Sequence, residues 1–117
     1  MTLRHYILEG ARVRSASLME WAAFMGRDDR VIGSTKVGGF HVSTVFLGLD
    51  HNFSGTGPPV LWETMVFDDG GLADFEQKRC AGGRDQAEEM HLRTVREVEA
   101  MCGIPPVPEE SLKWPSN

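Results

Sequence analysis

The pattern of hydrophobic and polar positions along the chain predicts several short strands and two helices. A first hairpin is predicted over residues 6–13, with its turn at Gly10. A short helix follows, because Ser17 and Glu20 form the S-x-x-E pattern of a capping box. Its apolar residues recur at positions i, i+3, i+4 and i+7, which are Leu18, Trp21, Ala22 and Met25. We expect this stripe to face the core, with Gly26 ending the helix.

Three strands are predicted in the middle of the chain, over residues 30–37, 40–47 and 60–67. Gly38 and Gly39, between the first two, are a strong signal for a two-residue hairpin turn. The second and third strands become apolar on both faces, which is typical of interior strands, and they flank a glycine-rich loop, residues 50–59. We expect these two strands to pair antiparallel, with Leu47 opposite Trp62.

The C-terminal part of the chain is predicted to form a short edge strand, residues 75–80, and a long helix, residues 85–102. The helix has one apolar face, which comprises Ala87, Met90, Thr94, Val95, Val98, Met101 and Cys102. Gly103 ends it, and Pro105 and Pro106 prevent its continuation. The proline-rich tail, residues 105–117, is either disordered or held against the body by Leu112 and Trp114.

These elements predict one α+β domain, residues 1–104. It has an antiparallel sheet of about four to six strands, with one short and one long helix packed on it. A chain of 117 residues fits a single domain.

Charge and cysteine content narrow the classes of function. The net charge of −5 argues against generic nucleic-acid binding, which depends on Lys and Arg neutralising phosphates. No apolar run approaches the roughly 18 residues of a membrane span, and the N-terminus lacks the apolar region of a signal peptide. Two cysteines, Cys80 and Cys102, give no disulfide framework. We therefore expect a cytoplasmic protein with free thiols and without a membrane partner.

Asp50 and His51, at the end of a predicted strand, are the most suggestive candidates for chemistry or binding. A His beside an Asp can serve as a general base or a metal ligand. In the alternative interpretation Asp50 accepts hydrogen bonds from loop N–H groups and His51 orients the loop.

Glu63 and His91 are the other candidate binding residues. Glu63 interrupts an apolar strand, so it needs an ion-pair partner or a polar cleft, or else acts as a catalytic acid or base. His91 lies beside the apolar face of the long helix, where a hydrogen-bonded packing role competes with a ligand role. Together with His51, these residues are the one combination of histidine and carboxylate side chains that we can assemble from elements far apart in the sequence. Their spacing supports no metal site, and we predict neither a metal nor a cofactor.

Residues 42–67 carry a long motif that resembles a family of small, uncharacterised bacteriophage and prophage proteins. The family pattern is approximately VSTVFLGxDHxFGxGPPxLxETMVF. It usually follows a strand containing RxVxxT, which the stretch from Arg30 to Thr35 resembles, and precedes a short helix with a histidine, here His91. The resemblance covers residues 30–99 and implies a phage-associated origin in a bacterial host cell, without implying a reaction.

The sequence thus favours a phage or prophage accessory protein that binds a protein partner and is not an enzyme. Two alternatives stay open. One is a small metal- or nucleotide-dependent enzyme that uses Asp50, His51, Glu63 and His91, and the other is a virion or assembly component.

Overall fold

The strands and helices form an α+β fold around one antiparallel sheet, as the sequence pattern predicts. The structure, a computed structural model, describes residues 4–26, 30–73, 75, 77–109 and 112. In chain order its elements are β1 (Tyr6–Glu9), β2 (Arg12–Ser15), α1 (Leu18–Met25), β3 (Val31–Val37), β4 (Phe40–Phe46), β5 (Val60–Asp68), β6 (Gly71–Leu72), β7 (Lys78–Ala81) and α2 (Arg84–Cys102). Among the described residues, no helix has the length and hydrophobicity needed to cross a bilayer.

In the main sheet β3, β4, β5 and β6 form an antiparallel meander, and β7 pairs antiparallel with β5. β4 lies between β3 and β5, and both β6 and β7 pair with the other edge of β5. β6 and β7 are therefore two pieces of one interrupted edge strand. Between them Ala73 is buried and Phe75 packs against the core. The predicted edge strand begins later than expected, at Lys78, because Phe75 leaves the ladder to pack inward.

β1 and β2 form a separate hairpin that joins the end of β4. The amide of Tyr6 donates to the carbonyl of Gly48 (2.8 Å), and His5 forms an isolated bridge with Leu49. The predicted N-terminal hairpin is confirmed.

The predicted register of β4 and β5 is wrong by one residue. Phe46 lies opposite Trp62, and Thr44 lies opposite Thr64. Both strands are apolar on both faces, so the sequence pattern specifies their register only weakly. The shift matters because it places the two threonines side by side on one face of the sheet. Glu63, next to Thr64 on the same strand, points to the other face.

α2 lies across one face of the main sheet and contacts β3, β4, β5 and β7. Its predicted apolar face is confirmed at most positions, since Ala87, Met90, Val95 and Val98 are buried. Met101 and Cys102 are exposed instead. The helix ends at Gly103, which has the left-handed conformation with φ of 69°.

α1 has the predicted capping box, but its apolar stripe faces the core only in part. The Ser17 hydroxyl accepts from the Glu20 amide (3.2 Å), and the Glu20 carboxylate accepts from the Ser17 amide (3.0 Å). Phe24 is buried with its ring edge against Phe46 (centroids 5.9 Å apart). Trp21 and Met25 are partly buried beside that cluster, whereas Leu18 and Ala22 of the predicted stripe are exposed. The larger side chains of Trp21, Phe24 and Met25, spaced i, i+3 and i+4, face the core.

Two described residues of the tail, Val107 and Leu112, lie against the body of the protein. The amide of Val107 donates to the buried carboxylate of Glu99 (2.8 Å), and Leu112 is buried. Trp114, the other predicted anchor, lies outside the described residues.

Gly33 provides the space for the His91 ring, and we expect an alanine there to destabilise the fold. A Cβ at Gly33 would lie 2.8 Å from His91 Nδ1, so the core would be overpacked. Gly33→Ala should lower the free energy of unfolding by about 1–3 kcal/mol in urea titrations. Gly39→Ala is the matched control, because a Cβ there meets no atom within 4 Å. Equal losses in the two variants would contradict this account.

Candidate functional site

Asp50 closes the base of the 50–59 loop. Its Oδ1 atom accepts from the backbone amides of Asn52 (2.8 Å) and Val60 (2.9 Å). The backbone amide of His51 also donates to the Val60 carbonyl (2.9 Å). A single carboxylate oxygen thus joins the two ends of the loop, which is the geometry of a structural latch.

Asn52 holds the interior of the same loop. Its side-chain amide donates to the carbonyls of Thr56 (2.7 Å) and Pro58 (2.9 Å). Its side-chain oxygen accepts from the Ser54 hydroxyl (2.5 Å). These bonds give the exposed loop a fixed shape. No pattern in the sequence pointed to this role of Asn52.

His51 is oriented by the backbone and does not contact the carboxylate of Asp50. Nδ1–H donates to the Leu49 carbonyl (2.8 Å), and the ring packs near Phe53 (centroids 5.8 Å apart). Within the described chain no hydrogen bond is made to Nε2. The Asp50 oxygen is instead engaged by backbone amides, so these neighbours do not form a catalytic dyad.

Glu63 forms an ion pair across the sheet with Arg79 on β7. The Arg79 Nε–H donates to Glu63 Oε2 at 2.6 Å, and the carboxylate side chain is 10% exposed against 47% for the arginine. A nearly buried carboxylate thus has the partner that its burial requires. Glu63 and Arg79 lie directly opposite each other on neighbouring strands.

His91 is fully buried between α2 and the sheet. Nδ1 hydrogen-bonds with the Thr44 hydroxyl (2.7 Å) and Nε2 with the Thr35 hydroxyl (2.8 Å). Thr44 in turn hydrogen-bonds with Thr64 (2.5 Å). Burial, with a smaller effect of the His41 charge, lowers the pKa of His91 to about 4. The ring is therefore neutral at pH 7, with one nitrogen donating and the other accepting.

The structure does not bring the four predicted site residues together. His91 and its threonines lie on the helix-covered face of the sheet, while Glu63 points to the opposite face. His51 lies in the loop, where its ring contacts Phe53. In the described ranges, no group of three or more His, Cys, Asp or Glu side chains is placed to hold a metal ion. Each residue instead has a local structural partner.

The outer face of α1 is a surface that the sequence analysis missed. Leu18 is 60% exposed and Met19 80% exposed, and both Ala22 and Ala23 are also exposed. These positions are spaced i, i+1, i+4 and i+5, so they form one face of the helix. Glu20 is the sole charge in the helix, and it is held by Arg14 (2.9 Å). The sequence does contain a signal for this surface. Met19 and Ala23 lie outside the predicted stripe and are also apolar, so the helix has apolar residues on every side.

A groove of about 470 Å³ lies between the edge strand β7 and α2. Cys80, Ala81 and Met90 contribute its apolar part, and Arg79 and Arg93 are among its charged lining residues. Burial raises the pKa of the Cys80 thiol above its ordinary value, and the nearby Arg93 charge opposes this rise. Sequence patterns do not reveal this groove because it depends on how α2 crosses the sheet.

Searches against protein-family models, curated proteins and solved structures found no significant match to this chain.

The burial of neutral His91 predicts a loss of stability at mildly acidic pH. Its folded pKa of about 4 is below the ordinary histidine pKa of 6.5, so the unfolded chain binds one more proton than the folded chain between these values. The contribution of His91 to the free energy of unfolding is fully present above pH 6.5 and decreases as the pH falls towards 4. The total loss should be about 3 kcal/mol, or at most about 1.4 kcal/mol per pH unit.

The measurement is urea unfolding at a series of pH values across that window. His91→Gln should remove the slope assigned to this residue, whereas His51→Gln should retain it. An unchanged slope in His91→Gln would contradict the assignment.

Because Asp50 acts as a structural latch, we expect its acceptor oxygen to contribute more to stability than its negative charge does. Asp50→Ala leaves two amides without their acceptor and should cost about 1–3 kcal/mol of unfolding free energy, measured in urea. Hydrogen exchange at the amides of Asn52 and Val60 should accelerate. Asp50→Asn keeps an oxygen at the same position and should lose less. If the two variants lose the same stability, the latch assignment is wrong.

Proposed function

We propose that this chain is a protein-binding module that contacts its partner through the exposed apolar face of α1. The observation that carries the proposal is the exposure of Leu18 and Met19 on a helix whose other side is fixed in the core. Contiguous apolar surface on a folded domain is typical of protein interaction sites.

The rigid support of α1 favours recognition without folding on binding. The capping box fixes the start of the helix, and Phe24 anchors it against Phe46. The loss of conformational entropy on binding is then limited to the exposed side chains. Among these, Met19 has a flexible and polarizable side chain, which suits packing against an irregular apolar surface.

The partner that fits this face has a shallow apolar groove that accepts two turns of helix. Ala22 and Ala23 are small, so a partner can approach the helix backbone closely beside the Leu18 and Met19 side chains. Recognition of this kind uses anchors spaced along one helix face.

The biological setting is proposed from the sequence resemblance alone. A phage or prophage accessory protein acts by binding a protein of its bacterial host or of the phage, and a binding face on α1 is compatible with that role. The role as a virion or assembly component belongs to the same class of contact, with a phage structural protein as the partner.

A charge at the centre of the α1 face should abolish partner capture. Wild-type chain, Met19→Glu and Met101→Glu are immobilised and exposed to lysate of infected host cells, and bound proteins are quantified by mass spectrometry. Met101 is the matched control because it is a methionine with 54% exposure on the other helix. We expect capture to fall more than about tenfold in Met19→Glu, since an unpaired charge at an interface centre costs roughly 2 kcal/mol or more.

Folding of Met19→Glu is checked by circular dichroism and urea unfolding, which should match the wild type. Equal capture by wild type and Met19→Glu, or no protein captured specifically by the wild type, would contradict the proposed binding face.

A further inference from the structure

The free edge of β7 is the starting point for a second binding surface. β7 pairs with β5 along one edge. In the described chain, no other backbone–backbone hydrogen bond involves Lys78–Ala81. An edge strand of this kind presents N–H and C=O groups that can pair with an added strand.

The groove beside this edge has the dimensions and lining of a peptide site. One wall is β7, and the other is a face of α2 on which Gln86, Glu89 and Arg93 recur at i, i+3 and i+7. Between the walls lie the half-buried thiol of Cys80 and the buried side chain of Met90. A volume of about 470 Å³ fits a few side chains of an extended segment.

An unpaired cation in the groove favours an acidic occupant. The charged residues that line it are Lys78, Arg79, Glu89 and Arg93. Lys78 is paired with Glu97 and Arg79 with Glu63. Arg93 is exposed, and among the described residues it has no ion-pair partner. Arg93 is therefore the cation of this groove that can pair with a carboxylate from outside the chain.

We propose that the groove between β7 and α2 binds an extended acidic peptide segment of a partner protein. The segment adds a strand to the free edge of β7. One of its apolar side chains packs on Cys80 and Met90, and a neighbouring carboxylate pairs with Arg93. Main-chain hydrogen bonds supply affinity in this mode of recognition, and alternate side chains supply specificity.

A second copy of this chain is a poorer occupant of the same edge. As an added strand, the Lys78–Ala81 segment of a second copy has no carboxylate that could pair with Arg93. The groove also shares no lining residue with the exposed face of α1, so the two surfaces can be tested independently.

The test uses the full chain as the target for a displayed library of random peptides of about ten residues, long enough to span a strand. Enriched peptides should carry acidic residues next to apolar ones. Their affinity should fall about tenfold or more in Arg93→Glu, because an opposite charge replaces the predicted partner of the carboxylate. Arg12→Glu makes the same charge change at an exposed position on β2 and should bind as the wild type does.

Two further measurements locate the bound peptide. Alkylation of Cys80 at mildly alkaline pH should slow at least severalfold in its presence, while the exposed Cys102 provides the internal reference with an unchanged rate. Two synthetic versions of an enriched peptide carry N-methyl groups on alternate backbone amides, one at the odd-numbered and one at the even-numbered positions. One of the two should lose binding, because an added strand uses the N–H groups of every second residue to pair with β7.

Several outcomes would overturn the proposal. These are the absence of enriched peptides, enrichment without acidic residues, equal affinity for wild type and Arg93→Glu, and insensitivity to backbone methylation in both registers. Concentration-dependent dimerisation in sedimentation experiments that protects Cys80 would instead identify a second copy as the occupant. Met19→Glu should bind the peptides normally, so a failure of the α1 face and a failure of this groove are distinguishable.

Discussion

The contact between the His91 ring and the threonines of the sheet determines how the long helix sits on the strands. The ring lies over Gly33 and hydrogen-bonds with Thr35 on β3 and Thr44 on β4, and Thr44 continues the network to Thr64 on β5. Because buried polar groups are costly when unpaired, α2 cannot slide or rotate without breaking this set. One polar network therefore fixes the helix relative to three consecutive strands.

The position of α2 also defines the groove beside β7. Its crossing of β7 leaves a groove that Cys80, Met90 and Arg93 line. The α1 face is independent of this contact, since α1 is held by Phe24 and by its contacts with β1. The core thus supports two separate surfaces, the exposed apolar face of α1 and the groove with Arg93.

The residues that were singled out as candidate chemistry act mainly as structural contacts in this fold. Asp50 closes a loop, Glu63 pairs with Arg79, and His91 holds the core. Each is a polar residue in an apolar or glycine-rich stretch of the sequence. Such a position indicates that the polar side chain requires a hydrogen-bond or ion-pair partner. It does not distinguish a partner within the chain from a ligand, because both satisfy the same hydrogen-bonding requirement.

The sequence by itself determined the elements and their order, because local signals specify them. The capping box at Ser17, the Gly38-Gly39 hairpin and the helix end at Gly103 all act within a few residues. Tertiary structure alone decided the register of β4 and β5, the side of α1 that faces the core, and the groove beside β7. Those features depend on packing between residues far apart in the chain, where an apolar pattern on both faces permits more than one arrangement.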